Sequence, residues 1–392
     1  MFLYSPSNFF LIFKVESVLG LMSISMLILV SWICCMYYAE LLLYIHHHPM
    51  SQPKTKIILL SVFYLLFAMG FGAFNTIVTK IWESAGDSTL SPMYFTIQSI
   101  TLLITNTFTS KLSISEKWQM VFFTVGFAVN CSTGFLMIGA SPVLRYFLAV
   151  VGALINGVCM AFMFTCQGSY IHKVCVKYGV VDKKGEYYGI FTSISYISAI
   201  LSALVVLFGL GFLSHYYYFV LVTGIVLGSA IFCWLLVEDV RLPNEEEEKK
   251  PSLKEQLRKM WRFYPTMKYV LGYALLNGIN IAIQAVTLLH LFKSTGDQHT
   301  DELHAGIALL AFGIGSCIGA FLGGKLCDLM VVKRVAYVGH LVYGISCILS
   351  IIVALIDVFP ISCLACLCWG FTSSFFTANE MVICSKLFEG KY

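Results

Sequence analysis

The chain has 392 residues, of which 58% are hydrophobic and only 12% charged, with a formal net charge of +4. Soluble domains carry about 25% charged residues, so this chain has too few to coat a soluble globule. With a mean hydropathy of +0.82, the composition excludes a soluble enzyme, a nucleic-acid module and a disordered chain, and it implies a multi-pass protein in a lipid bilayer.

The apolar runs are long and unbroken, for example 199–213 and 335–356. A barrel would show short segments of alternating polarity instead. Only helices and closed barrels satisfy the backbone in lipid, so the fold class is an all-α polytopic membrane protein. At about 20 apolar residues per span, the expected spans in chain order are 17–40, 57–79, 91–110, 119–140, 145–169, 187–211, 216–237, 267–292, 304–327, 335–356 and 360–384. Gly86-Asp87-Ser88 and Asp182-Lys183-Lys184-Gly185 mark turns between spans, and the longest break is 238–265.

The first run, 17–40, reads as an extra span with an outside N-terminus or as a signal anchor. It is too long for a cleaved signal peptide. Placing 46–56 in the cytosol puts all 25 Lys and Arg on the cytosolic side except Lys14, Lys80, Arg145 and Lys293. That asymmetry is the positive-inside pattern. His46-His47-His48 then lies at a cytosolic boundary and reads as solvated.

The 14 cysteines fall almost wholly within apolar runs. Cys363, Cys366 and Cys368 read as small packing residues rather than metal ligands. No metal and no cofactor is expected. Asn130-Cys131-Ser132 fits a glycosylation sequon, but it lies inside a span.

In the 238–265 segment, Ser252 and Glu255 form a capping-box pattern. Leu253, Leu257, Met260, Trp261 and Tyr264 share one face, opposite Lys254, Arg258, Lys259 and Arg262. This predicts an amphipathic helix on the cytosolic leaflet.

Setting aside 17–40, six spans precede the 238–265 loop and four follow it. This plan resembles the major facilitator superfamily, whose two halves are each built from six spans. The expected units are 1–56 (extra hydrophobic helix and link), 57–237 (six-helix half), 238–265 (cytosolic loop) and 266–392 (incomplete second half), so the last two spans of that fold are not expected within these residues. Ser110-Lys111-Leu112 and Gly324-Lys325-Leu326 occupy matching places in the two halves. The second copy continues to Asp328 and then Lys333-Arg334, which resembles the superfamily's loop signature. Gly324 would let two helix ends approach closely. Asp328 would pair with a basic residue or a helix N-terminus, which makes Gly324, Asp328, Lys333 and Arg334 the expected cytosolic gate. In the first copy Ile114 stands where the acid is expected. Ala311, Gly315, Gly319 and Gly323 form a small-residue ridge suited to helix packing.

Finer motifs follow. Gln167-Gly168-Ser169-Tyr170-Ile171 ends the fourth core span, Tyr187-Tyr188-Gly189-Ile190-Phe191 opens the fifth, and Phe74-Asn75 lies late in the first. Together they resemble the Unc-ninety-three-like ("uncoordinated") family of the superfamily, over 57–388. Phe164 stands where that family carries Trp, and Ser373 where it carries an acid. The family motif residues here are Gln167, Gly168, Tyr170, Tyr188, Gly189 and Phe191.

Ionisable residues inside a membrane mark pathways by default, and they are scarce here. Glu380 is the acid expected to be well buried. Asn75, Asn156, Gln167, Asn277, Asn280 and Gln284 are expected to line a central cavity with it, or to form hydrogen bonds between helices. Asn277, Asn280 and Gln284 share one helix face. Two functions compete. One is a carrier for an ion or small solute. The other is a non-transporting regulatory subunit or trafficking chaperone with a channel or receptor as membrane partner, which the resemblance implies. Besides such a partner, the bilayer is the expected contact, with no nucleic acid and no covalent catalysis.

Overall fold

The structure is a computed structural model. It describes residues 52–84, 89–106, 108, 109, 112, 114–242, 258, 298–330, 332–356 and 358–387. The expected spans 17–40 and 267–292 and most of the amphipathic loop segment lie outside the described residues. The helices are α1 (Gln52–Ser84), α2 (Leu90–Asn106), α3 (Glu116–Met137), α4 (Pro142–Lys177), α5 (Lys184–Phe212), α6 (His215–Leu236), α7 (Gln298–Leu329), α8 (Val332–Ile356) and α9 (Phe359–Leu387). Among the described residues, seven helical stretches are long and apolar enough to cross a membrane, and Tyr337–Val353 is a shorter apolar one. The protein is therefore an all-helical, integral, multi-pass membrane protein in contact with lipid.

Several boundaries differ from the sequence expectation, and two of them have a clear physical cause. The span expected over 145–169 continues to Lys177. Its extension buries Tyr170, Ile171, Val174 and Cys175, so packing carries the helix beyond its longest apolar run. It stops where Gly179 takes φ of 65° and the Val180 N–H reaches back to the Cys175 carbonyl at 2.9 Å, a left-handed glycine cap. Conversely, the span expected over 91–110 ends as a helix at Asn106. The Phe108 N–H bonds the Thr105 carbonyl and the Thr109 hydroxyl bonds the Asn106 carbonyl, which closes a turn there.

In the first half, α1 packs on α5 and α6, α2 on α4, and α3 on α4 and α6. Aromatic side chains fill the space between them. Phe67 and Phe127 meet edge-on at 5.4 Å, Tyr64 and Phe191 at 5.1 Å, and Phe74 and Phe219 at 5.9 Å. Such offsets suit the ring quadrupole.

In the second half, α9 packs on α7 and α8. The ridge of Gly315, Gly319 and Gly323 lies against the backbone of Leu367, Phe371 and Phe375, and Gly370 faces Phe312 in return. Across the other face of α9, the Trp369 indole donates to the Ser350 hydroxyl, and Ser346 and Thr372 share a 3.1 Å bond. On α8, Tyr337, Leu341, Ile348, Ile351 and Leu355 form an exposed stripe, as expected of a lipid-facing helix.

The two halves meet along α5 and α7. The helices run antiparallel: Gly185 lies against Gly324, Gly189 against Phe321, and Gly313 against Ile200. The Ser193 hydroxyl donates to the Cys317 carbonyl at 2.9 Å within this seam.

Candidate functional site

The α5–α7 seam is tightest at the end of the bundle that gathers Lys54, Lys56, Lys173, Lys177, Lys183, Lys184 and Lys325. A 3-10 turn, Val181–Lys183, leads directly into α5. This leaves the first backbone N–H groups of α5 without intrahelical acceptors. Asp328, one residue from the end of α7, supplies them. Its Oδ1 accepts the Gly185 N–H at 3.0 Å and its Oδ2 accepts the Glu186 N–H at 2.6 Å. A carboxylate on a helix N-terminus gains both charge-assisted hydrogen bonds and the macrodipole.

Close approach here requires glycine on both sides. A Cβ on Gly185 would lie 2.5 Å from Asp328 Oδ1, and one on Gly324 would lie 2.6 Å from the Gly189 Cα. Lys184 is fully buried at the same place, and Cys175, also fully buried, lies within electrostatic range of both Lys184 and Asp328. Arg334 is exposed, and the side chain of Lys333 lies outside the described residues. Lys54 adds a partly exposed ion pair to Glu186 at 3.2 Å.

The two motif segments touch each other. The Tyr188 hydroxyl donates to the Gly168 carbonyl at 3.0 Å, and the Tyr170 hydroxyl donates to the Glu238 carbonyl at 3.0 Å. Phe191 packs on Tyr64. Gln167 is buried.

Beside them lies a cluster that the sequence did not single out. Glu116, at the start of α3, accepts the Ser169 hydroxyl at 2.7 Å and pairs with Lys173 at 2.6 Å. Both partners are only 13% exposed. The available signal was an acid at a span boundary facing a basic helix end. Glu116 follows Ile114, where the loop signature lacks its acid. It ties α3 to α4 within one half, whereas Asp328 ties the two halves together. Glu116→Gln is expected to lower stability by about 1–3 kcal/mol, the cost of leaving the Lys173 charge without its acceptor in a mostly buried site. Thermal unfolding in detergent would measure it, and the double variant with Lys173→Met should recover part of the loss.

The intramembrane polar residues separate into distinct places. Asn156 is fully buried on α4. Its amide donates to the Tyr94 hydroxyl at 3.1 Å and to Gln98 Oε1 at 3.1 Å, and Asn130 donates to the same Tyr94 hydroxyl at 3.2 Å. This joins α2, α3 and α4. The Oδ1 atoms of Asn130 and Asn156 are buried with no hydrogen-bond partner, which leaves two acceptors for a small donor. Tyr94 and Gln98 were missed, although they are spaced four apart in an apolar run, and Asn130 was read only as part of a sequon.

Gln167 shares the Asn156 face of α4 but lies three turns away, about 16 Å along the axis. Asn75 is half-buried on α1, and Glu380 is half-buried rather than well buried on α9. Asn277, Asn280 and Gln284 lie outside the described residues.

Residues 60–392 match the Major Facilitator Superfamily. Among solved structures, a single-site variant of the E. coli fucose:proton symporter superposes with a TM-score of 0.57 at 13% sequence identity, covering 86% of this chain and 89% of that one. At that identity the likeness concerns the fold. No curated protein matches the sequence.

Proposed function

The chain belongs to the major facilitator superfamily, and from that premise we propose that it is a transporter-like protein of the Unc-ninety-three-like branch, acting in the transmembrane movement of an ion or small solute or in its regulation. The observation that carries this reading is the Asp328 carboxylate on the α5 N-terminus, joining one half to the other. An alternating-access carrier rocks its halves about a central site. It needs a contact that is complete in one state and broken in the next. The basic end is the cytosolic end, and Gly324 and Asp328 are the gate there, with Lys333 and Arg334 flanking it. Residues 57–237 and 266–392 act as the two moving units, linked by 238–265. Contact between the two motif segments, Tyr188 to Gly168, supports the branch assignment.

Asn75, Asn156, Gln167, Asn277, Asn280, Gln284 and Glu380 supply the polar groups toward the solute path. The E. coli relative is, by its name, a proton-coupled carrier. In this chain Glu380 is the intramembrane acid best placed to couple a proton.

Reconstitution of the purified protein, with a flux screen of ions and small solutes, tests the proposal. Flux that falls in Glu380→Gln and Asp328→Asn would support it. No flux, together with a channel or receptor co-purifying in stoichiometric amount, would replace it with the regulatory-subunit reading.

A further inference from the structure

A pocket of about 370 Å³ opens at the basic end, between α1, α4 and the residues just after α6. It is separate from the Asp328 contact. Its lining includes the polar side chains of Lys56, Tyr170, Tyr178 and Glu238 and the apolar Leu59 and Leu236. The charges are arranged by depth. The Lys56 side chain is 11% exposed and that of Glu238 is 55% exposed, so the cation is recessed and the carboxylate stands at the rim. They form an ion pair. The Lys56 ammonium also lies 5.6 Å from the Tyr178 ring centroid, a cation–π distance. Tyr170 fixes the Glu238 backbone through its hydroxyl.

The surface beside the pocket is apolar. On the last turns of α6, Ile231, Trp234 and Leu235 are 55%, 51% and 62% exposed. In a membrane helix that face meets acyl chains, and an aromatic ring near a helix end sits at head-group level. The lipid-facing strip of α6 therefore runs up to the rim of a pocket that holds both signs of charge.

We propose that this pocket binds the head group of a phospholipid bearing a primary amine, in the leaflet at the basic end, with its chains along α6. The phosphate reaches recessed Lys56, and the ammonium donates hydrogen bonds to Glu238 at the rim. A quaternary ammonium has no N–H to donate to Glu238. A head group with net negative charge and no amine meets the Glu238 carboxylate unfavourably. The match is thus to a zwitterion with N–H donors, and the adjoining apolar strip selects a lipid over a free solute.

The test is lipid binding to the full chain in detergent micelles, followed by native mass spectrometry and by the thermal unfolding midpoint. The probes are phosphatidylethanolamine, phosphatidylcholine and phosphatidylglycerol with the same acyl chains, and soluble phosphoethanolamine. Phosphatidylethanolamine is expected to bind about tenfold more tightly than the other two lipids, the scale of one charge-assisted hydrogen bond. Glu238→Gln should abolish that preference, and Lys56→Gln should weaken all three lipids. Glu238 is exposed enough for its variant to keep the packing, checked by the midpoint without lipid; if that midpoint falls, the ranking on the unaltered protein still decides. Equal binding of phosphatidylcholine, tighter binding of phosphatidylglycerol, or a preference that survives both substitutions would overturn the assignment. So would displacement of the lipid by phosphoethanolamine at comparable concentration, which would mark a solute site.

Discussion

Gly319→Val is expected to prevent the second half from assembling, with a stability loss of about 3 kcal/mol or more, at the upper end of the range for overpacking. An added Cβ at Gly319 meets the Phe371 backbone carbonyl and lies 2.6 Å from the Ser374 hydroxyl oxygen. A flexible side chain could turn aside, but a helix carbonyl can move only if the helix moves. In lipid no hydrophobic force pulls α7 and α9 back together, because acyl chains are as apolar as the helix surfaces. Their association rests on close backbone packing, and α7 with α9 is the most extensive helix pair among the described residues. Valine also adds a β-branch at the contact. Gly344→Ala provides the control. Beyond the adjoining residues and backbone of α8 itself, no atom lies within 4 Å of a Cβ built at Gly344, so alanine there should be neutral or should stabilise by about 0.4–1 kcal/mol. The measurement is the fraction of monodisperse protein and its unfolding midpoint in detergent. A Gly319→Val protein as stable as the Gly344→Ala protein would show that the ridge does not seat α9.

That ridge was legible in the sequence because a four-residue period of small residues survives any uncertainty in helix ends. The spans were legible for a similar reason, since unbroken apolar runs specify helices in lipid whatever their partners. Gly324 and Asp328 could be read because glycine and a carboxylate at a helix end each have a narrow physical use. Their partner was not readable: nothing local announces that the acceptor for Gly185 and Glu186 lies more than 140 residues away. The same limit hid Glu116 and Lys173, which are ordinary boundary charges until α3 and α4 are side by side. It also hid Tyr94, whose hydroxyl is central only because two asparagines on different helices converge on it. Packing decided the end of α4 as well. Tyr170 and Val174 look like the edge of a span, yet they are buried against neighbours and extend the helix to Lys177.

Asp328→Asn is expected to loosen the contact between α5 and α7, the proposed gate, rather than unfold the protein. The carboxylate accepts two backbone N–H groups at 3.0 and 2.6 Å, and hydrogen bonds to charged groups are worth about 1.5–3 kcal/mol each. Asparagine keeps the shape and one good acceptor but loses the charge that the α5 N-terminus favours. A loss of about 2 kcal/mol from the latched state would shift its balance with the open state about thirtyfold, at 1.4 kcal/mol per factor of ten. Cys175 reports the shift. It is fully buried on α4 and lies within electrostatic range of both Lys184 and Asp328, so parting α7 from α5 is expected to uncover it. With Cys175 retained and the other cysteines replaced, its alkylation by a maleimide should accelerate by about the factor above. Lys54→Gln separates a specific latch from general loss of charge. Its pair with Glu186 is 42% and 31% exposed, and exposed pairs contribute at most about 1 kcal/mol, so labelling should change less than about fivefold. Equal effects from the two substitutions would mean that the seam is held by its glycine contacts alone. A large effect confined to Asp328 would mean that one carboxylate on one helix N-terminus sets which way the two halves lean.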